Sequence, residues 1–199
     1  MSRPAIDVSE LPPLAFGHRG IVWWATMGVI AIEGAMFVLV MVTYLYLKGR
    51  SPHWPPGFFP PDLRWGTLNT IVLLASTVPN QFAKSAAEKF DLRGARFWLV
   101  VALAFALAFN IIRIFEFRTL NVWWDSNAYG SVTWTLLGLH TTHILTDFID
   151  SCVLAGVLYF GPVKASLMVD LSENSLYWYF VVLAWLPIYA LIYWAPRLA

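Results

Sequence analysis

The sequence predicts an all-α polytopic membrane protein. Three observations carry that reading: the composition, the length of the apolar runs, and the scarcity of charge inside them. Of 199 residues, 59% are hydrophobic and 13% charged, against roughly 45–50% and about 25% in ordinary soluble domains. Aromatic residues make up 17%, from 11 Trp, 8 Tyr and 14 Phe, and the mean hydropathy is +0.63. Folded in water, such a chain would leave a large apolar surface uncovered. A soluble enzyme and a disordered tail are therefore excluded. The single cysteine, Cys152, excludes an intrachain disulfide scaffold and reads as a small packing residue. A net charge of +1, from 13 basic and 12 acidic side chains, gives no reason to invoke nucleic acid as a partner.

A bilayer core takes about 20 predominantly apolar residues per helix. Five runs meet that length, at about residues 21–47, 65–83, 95–117, 130–160 and 175–194, within one integral-membrane domain spanning 1–199. The first holds one charge, Glu33, and is long enough to cross with tilt. The second is weaker. Asn69, Ser76, Pro79 and Asn80 flank its apolar centre from Ile71 to Ala75, so it is expected to face protein more than lipid.

The connection SPHWPPGFFPPD, from Ser51 to Asp62, holds five prolines. It reads as a stiff, polyproline-like surface loop that separates the first helix from the rest. The next connection, KSAAEKFDLRGAR, is short and charged, as in a hairpin between antiparallel helices. No repeat of fixed period supports a solenoid or an inverted-repeat transporter. The opening MSRPAIDVSELPP mixes acidic residues with prolines, and a cleaved signal peptide is not expected there.

Lys and Arg on alternate sides of the five spans give an orientation. Arg3, Arg19, Lys84, Lys89, Arg93, Arg96 and Lys164 fall on one side; Lys48, Arg50, Arg64, Arg118 and Arg197 on the other. The excess predicts an amino terminus inside and a carboxyl terminus outside. Tryptophans 23, 24, 54, 65, 123, 124 and 194 lie near the predicted helix ends, where amphipathic rings settle among headgroups.

An ionisable group at membrane depth costs roughly 2.5–3.5 kcal/mol on the lenient insertion scale, so each is a functional candidate. Glu33 lies mid-helix in GVIAIEGAMF. It reads either as a carboxyl bonded to a neighbouring helix or as a proton-pathway group, and Gly34 and Ala35 allow a close approach. Arg113 and Glu116 are three apart, suited to an ion pair bracing the third helix near the interface. His140, His143, Asp147 and Asp150 follow at spacings of three, four and three, which confines them to one face of the fourth helix. Gly138, Leu145, Ile149 and Cys152 make the opposite face apolar. The polar stripe should therefore point into the bundle or a subunit contact.

Two histidines invite a metal or haem reading. However, His140 and His143 share one helix and one direction, while His18 and His53 are predicted outside the membrane. The chain also lacks a Gly-rich phosphate loop, a CxxC pair and a recognisable Ser/His/Asp arrangement. The residues alone describe a helical membrane subunit with one strong polar stripe, buried against a partner.

Several segments, taken in order and spacing, resemble the cytochrome c oxidase subunit III family of the haem-copper respiratory oxidases. They are Glu33, the run LNTIVLLAS from Leu68 to Ser76, Phe115-Glu116, Tyr129-Gly130-Ser131, and GLHTTH from Gly138 to His143. Tyr177-Trp178, Trp185 and Ile192-Tyr193-Trp194 complete the set. The resemblance covers about Gly20 to Trp194 and fits the shorter five-span form, which lacks the first two spans of longer members. It implies a subunit-III-like bundle around a lipid-filled cleft, in a bacterial-type cytoplasmic membrane. The chain would be an accessory subunit packed beside oxidase subunit I. Haem and copper would belong to partner subunits and none to this chain, while bound phospholipid and support of proton uptake would fall to it.

By the same resemblance, Glu33 falls on the family's buried carbodiimide-reactive carboxylate, His143 on a histidine near bound phospholipid, and Glu116 on a carboxylate of this span. Tyr179 and Val182 stand where the family's last helix typically has His and Asp. Asp147 and Asp150 are extra carboxylates that would restore polarity lost from the fifth helix. Two alternatives accompany this reading. One is a subunit-III-like accessory protein of a nitric oxide reductase; the other is a membrane carrier binding its own haem or metal at His140 and His143.

Overall fold

Inside a bilayer no water is present to bond backbone N–H and C=O groups, so each apolar run must satisfy its own as helix. The computed structural model describes residues 15–57 and 59–198. A 3-10 turn, Gly17–Arg19, leads into α1 (Ile21–Arg50), α2 (Leu63–Glu88), α3 (Leu92–Arg118), α4 (Ala128–Phe160) and α5 (Ser166–Tyr189). The last helix continues as a π-helical turn, Ala190–Trp194. The amino-terminal segment read for a signal peptide lies outside the described residues. Among the described residues, four helices are long and apolar enough to cross a membrane: α1, α3, α4, and α5 with its extension. The fold is that of an integral, all-helical membrane protein.

Every helix extends beyond the apolar run that predicted it, and at α2, α3 and α4 a polar cap rather than hydropathy sets the first turn. Asp62 accepts from Arg64 N at the start of α2. Asp91 accepts from the N–H groups of Arg93 and Gly94 at α3, and Asn127 accepts from Gly130 N at α4. Each satisfies backbone donors that would otherwise lack partners. The largest extension is at α5, which begins at Ser166 rather than about 175 and so draws Asp170 and Glu173 into the helix.

Helix α2 is the least apolar of the five, and its polar side chains form a seam with α5. Thr67 Oγ1 meets Tyr189 Oη at 2.7 Å. Trp185 Nε1 donates to Thr70 Oγ1 at 2.8 Å and Trp178 Nε1 to Ser76 Oγ at 2.9 Å. Asn80 Nδ2 donates to the Ser175 carbonyl at 2.9 Å, and Lys84 Nζ to Ser172 Oγ at 2.8 Å. Positions rise along α2 as they fall along α5, so the two helices are antiparallel and in register. Pro79, inside α2, is buried. At the other edge of α2, Ala86 and Ala87 pack in a cluster with Ala95 and Leu99 of α3, and their small side chains permit close helix approach.

Helix α1 lies against α4 and α5 and buries only Phe37 and Tyr44. The proline-rich connection behaves differently from the free spacer that its composition predicts. Trp54, expected among headgroups, is buried at 7% exposure. Its Nε1 donates to Tyr44 Oη at 2.9 Å, and its ring meets the rings of Tyr44 and Tyr129 edge-on at 5.2 and 4.9 Å. The prolines stiffen a loop whose Trp54 ties α1 to α4. At the same end, Lys48 Nζ donates to the Ala195 carbonyl at 3.0 Å, and Arg197 reaches the carbonyls of Pro61 and Tyr193.

Gly66 faces the fully buried ring of Tyr193, so closely that a Cβ there would overlap it. Gly66→Ala should cost about 1–3 kcal/mol through overpacking, read as a lowered thermal midpoint in detergent. An unchanged midpoint would mean that the Tyr193 ring has room to move.

Candidate functional site

A buried charge is tolerable only where neighbouring elements supply opposite charge and hydrogen bonds. Glu116, 0% exposed, meets that demand from three directions. Arg113, one turn earlier on α3, places Nη1 3.1 Å from Glu116 Oε2. Asn69 of α2 donates from Nδ2 to the same oxygen at 2.8 Å. Tyr193, in the π turn, donates to Oε1 at 2.6 Å. The Arg113–Glu116 pair lies close to the carboxyl end of α3 but is sealed inside the bundle, and it joins helices as well as bracing α3.

Arg113 carries the network across to α4. Its Nη2 lies 3.2 Å from His140 Nδ1, and His140 Nε2 lies 3.0 Å from the Val181 carbonyl. An arginine only donates and a carbonyl only accepts. His140 therefore carries its proton on Nε2, and Nδ1 accepts. The guanidinium also sits over the rings of Phe109 and Trp185, 4.6 and 4.3 Å from their centroids, a favourable cation–π arrangement.

His143 belongs to a second cluster, toward α1. Tyr177 Oη donates to Glu33 Oε2 at 2.7 Å. His143 Nδ1 donates to the Leu139 carbonyl at 2.6 Å, which turns Nε2 toward the same Glu33 oxygen at 3.6 Å. With Nδ1 donating, attraction between Nε2 and the carboxyl needs one proton on either group. The cluster can thus hold a proton at either of two neighbouring sites. Phe37 of α1 packs against both histidine rings, 4.9 Å from His143 and 6.2 Å from His140, and lies between the two clusters.

The stripe on α4 keeps one face, but its members have different surroundings. His140, His143 and Asp147 are buried, at 0%, 6% and 5% exposure. Asp150 is exposed on the single chain, so the bundle covers the first three and only a subunit contact would cover the fourth. Asp147 and Asp150 border a cavity between α1, α4 and α5 that Asp170, Glu173 and Tyr177 also line.

The alternative of a metal or haem at His140 and His143 does not fit these residues. Both nitrogens of His140 are engaged by protein, and His143 is turned to Glu33. Among the described residues, no three His, Cys, Asp or Glu side chains come together in a way that could hold a metal ion.

Sequence reasoning singled out Glu33, Arg113, Glu116, His140, His143, Asp147 and Asp150. It did not pair Asn69 or Tyr193 with Glu116, and it missed Asp170 and Glu173. The signal for the latter two was present: with Tyr177 they continue the three-and-four spacing of a helix face, upstream of the apolar run.

The buried pair makes a sharp prediction. Arg113→Met leaves Glu116 charged and under-compensated, and should cost about 3–5 kcal/mol. The double variant Arg113→Met/Glu116→Leu should cost less than the sum of the two single changes. A thermal double-mutant cycle in detergent checks this, and additive losses would refute the coupling.

Comparison with known proteins agrees with the arrangement. The family model described as cytochrome c oxidase subunit III matches residues 22–196, a stretch that includes every polar side chain of the two clusters. A probable cytochrome c oxidase subunit 3 from Mycobacterium tuberculosis is 32% identical over 180 residues, covering 87% of this chain and 84% of that protein. The cytochrome c oxidase subunit 3 of Thermostichus vulcanus is 27% identical over 169 residues, 83% of each chain. That of Synechocystis is 25% identical over 196 residues, 94% of this chain and 83% of that protein. A match over nearly the whole chain, with relatives of similar length, places this protein: it belongs to the cytochrome c oxidase subunit III family.

Proposed function

We propose that this chain is the non-catalytic accessory subunit III of a haem-copper terminal oxidase of the cytochrome c oxidase type. The observation that carries the proposal is the family match over residues 22–196. In this reading the chain packs beside subunit I, and haem, copper and electron transfer belong to its partners. The complex couples oxygen reduction to proton pumping in aerobic electron transport, in a bacterial-type cytoplasmic membrane.

The whole chain then acts as one membrane domain of five spans, with α2 as the fifth. At 1.5 Å per residue, the 26 residues of α2 exceed a hydrocarbon core of about 30 Å. Its seam with α5 supplies the partners that its polar side chains need. The excess of Lys and Arg at one end supports an inside amino terminus. The thinly covered α1 supports a cleft for phospholipid beside it, with Glu33 and His143 on the adjoining wall. Glu33, in contact with a second proton-holding group, is suited to support proton uptake on that side, while Arg113, Glu116 and His140 hold the helices together.

Purification of the tagged complex in mild detergent, with a visible spectrum and metal analysis before and after partner stripping, tests the assignment. Haem and copper should co-purify and leave with the partners, and the stripped chain should be colourless. Stoichiometric haem or metal retained on the stripped chain would overturn it. Within the complex, Glu33→Ala should weaken assembly or hasten inactivation during turnover. Unchanged assembly and unchanged turnover lifetime would remove Glu33 from the role proposed here.

A further inference from the structure

The open cavity between α1, α4 and α5 has a volume of about 560 Å³, typical of small-molecule sites. Its walls divide by chemistry. Val22 and Val29 line the α1 side, while Asp147, Asp150, Asp170 and Glu173 bring four carboxylates from α4 and α5, and among the described residues that line it none is cationic. Asp150 stands within electrostatic reach of both Asp147 and Asp170.

Two observations set this cavity apart from a solvated acidic patch. Asp147 is 5% exposed, lines the cavity, and has no hydrogen-bond or ion-pair partner among the described residues. Glu173 is 4% exposed, and its Oε2 is buried without a partner. The cation whose charge reaches Glu173, Lys84, is already bonded to Glu88 and Ser172. Carboxylates buried this way are costly as anions unless a cation or a bound proton compensates them.

The form of the site selects the cation. Among the described residues no three carboxylate, histidine or cysteine side chains converge to hold a metal ion, so a bare divalent cation is a poor fit. A cation carried on a carbon chain fits both walls. We propose that the cavity binds an organic ammonium ligand, with its ammonium group donating to Asp147 and the neighbouring carboxylates and its carbon chain lying against the Val22–Val29 wall. The ammonium could come from the headgroup of an aminophospholipid or from a soluble polyamine. The proposal rests on the cavity alone and is independent of which complex the chain joins.

The full chain, purified with the partners it carries, is titrated with spermidine at fixed ionic strength and is also reconstituted in nanodiscs of phosphatidylglycerol with or without phosphatidylethanolamine. The readouts are spermidine affinity and thermal midpoint. Saturable binding of spermidine, about tenfold weaker in Asp147→Asn and in Asp150→Asn, supports the proposal with a soluble source. That factor corresponds to one lost charge-assisted hydrogen bond. Stabilisation by phosphatidylethanolamine that both variants lose supports it with a headgroup source. Asp150 is exposed, so its substitution leaves the packing intact and keeps the test decisive if Asp147→Asn misfolds. The proposal fails if the unaltered protein responds to neither ligand, if both variants respond undiminished, or if magnesium at matched ionic strength reproduces the effect.

Discussion

The carboxylate of Glu116 is the constraint on which the rest of the packing depends. A charge with 0% exposure needs donors at fixed distances, and here they come from α2, from α3 and from the turn that follows α5. Asn69 can reach it only if α2 lies tightly against α3, which the small residues of both helices allow. Tyr193 can reach it only if its ring passes over Gly66, where a side chain would block it. Through Arg113 the same charge orients His140, which bonds the backbone of α5 at Val181. One acidic group thus ties together four helices that apolar contacts alone would leave free to slide.

The polarity of α2 follows from the same need for fixed register. In a bilayer, apolar side chains give helices little reason to prefer each other over lipid, so specificity falls to close packing and interhelical hydrogen bonds. Such bonds contribute about 0.6–2 kcal/mol each, and the α2–α5 seam places five along one antiparallel contact. A helix carrying these groups necessarily scores as less apolar than its neighbours. Its weak hydropathy is the consequence of packing against α3 and α5 through polar groups, with Asn69, Ser76 and Asn80 all buried.

Hydropathy made the apolar helices legible in the sequence, and it failed where polar groups define structure. The extent of α5 was hidden because Asp170 and Glu173 precede its apolar run, although they continue its helical spacing. Trp54 reads as an interfacial ring because it lies near a predicted helix end; only the tertiary fold shows Tyr44 and Tyr129 closing around it. For the site, spacing identified which residues share a helix face, since that is local geometry. Which helix supplies each partner is not local. Asn69 lies 47 positions from Glu116 and Tyr193 lies 77 from it, and no periodicity within either helix links them.

The four polar residues of α4 show why a shared face is not a shared site. The rise of the helix separates them along its axis, and different neighbours cover each level. At His140 the neighbours are Arg113 and the α5 backbone; at His143 they are Glu33 and Tyr177, with Phe37 of α1 packed between the two levels. Further along, α1 and α5 diverge enough to leave a cavity, and there Asp147 finds no donor. At the first two levels the α4 histidines find partners within the chain, whereas at the third Asp147 has none among the described residues. Asp147 lines that cavity and finds no partner among the described residues, so a cationic ligand entering the cavity would supply what the chain itself does not.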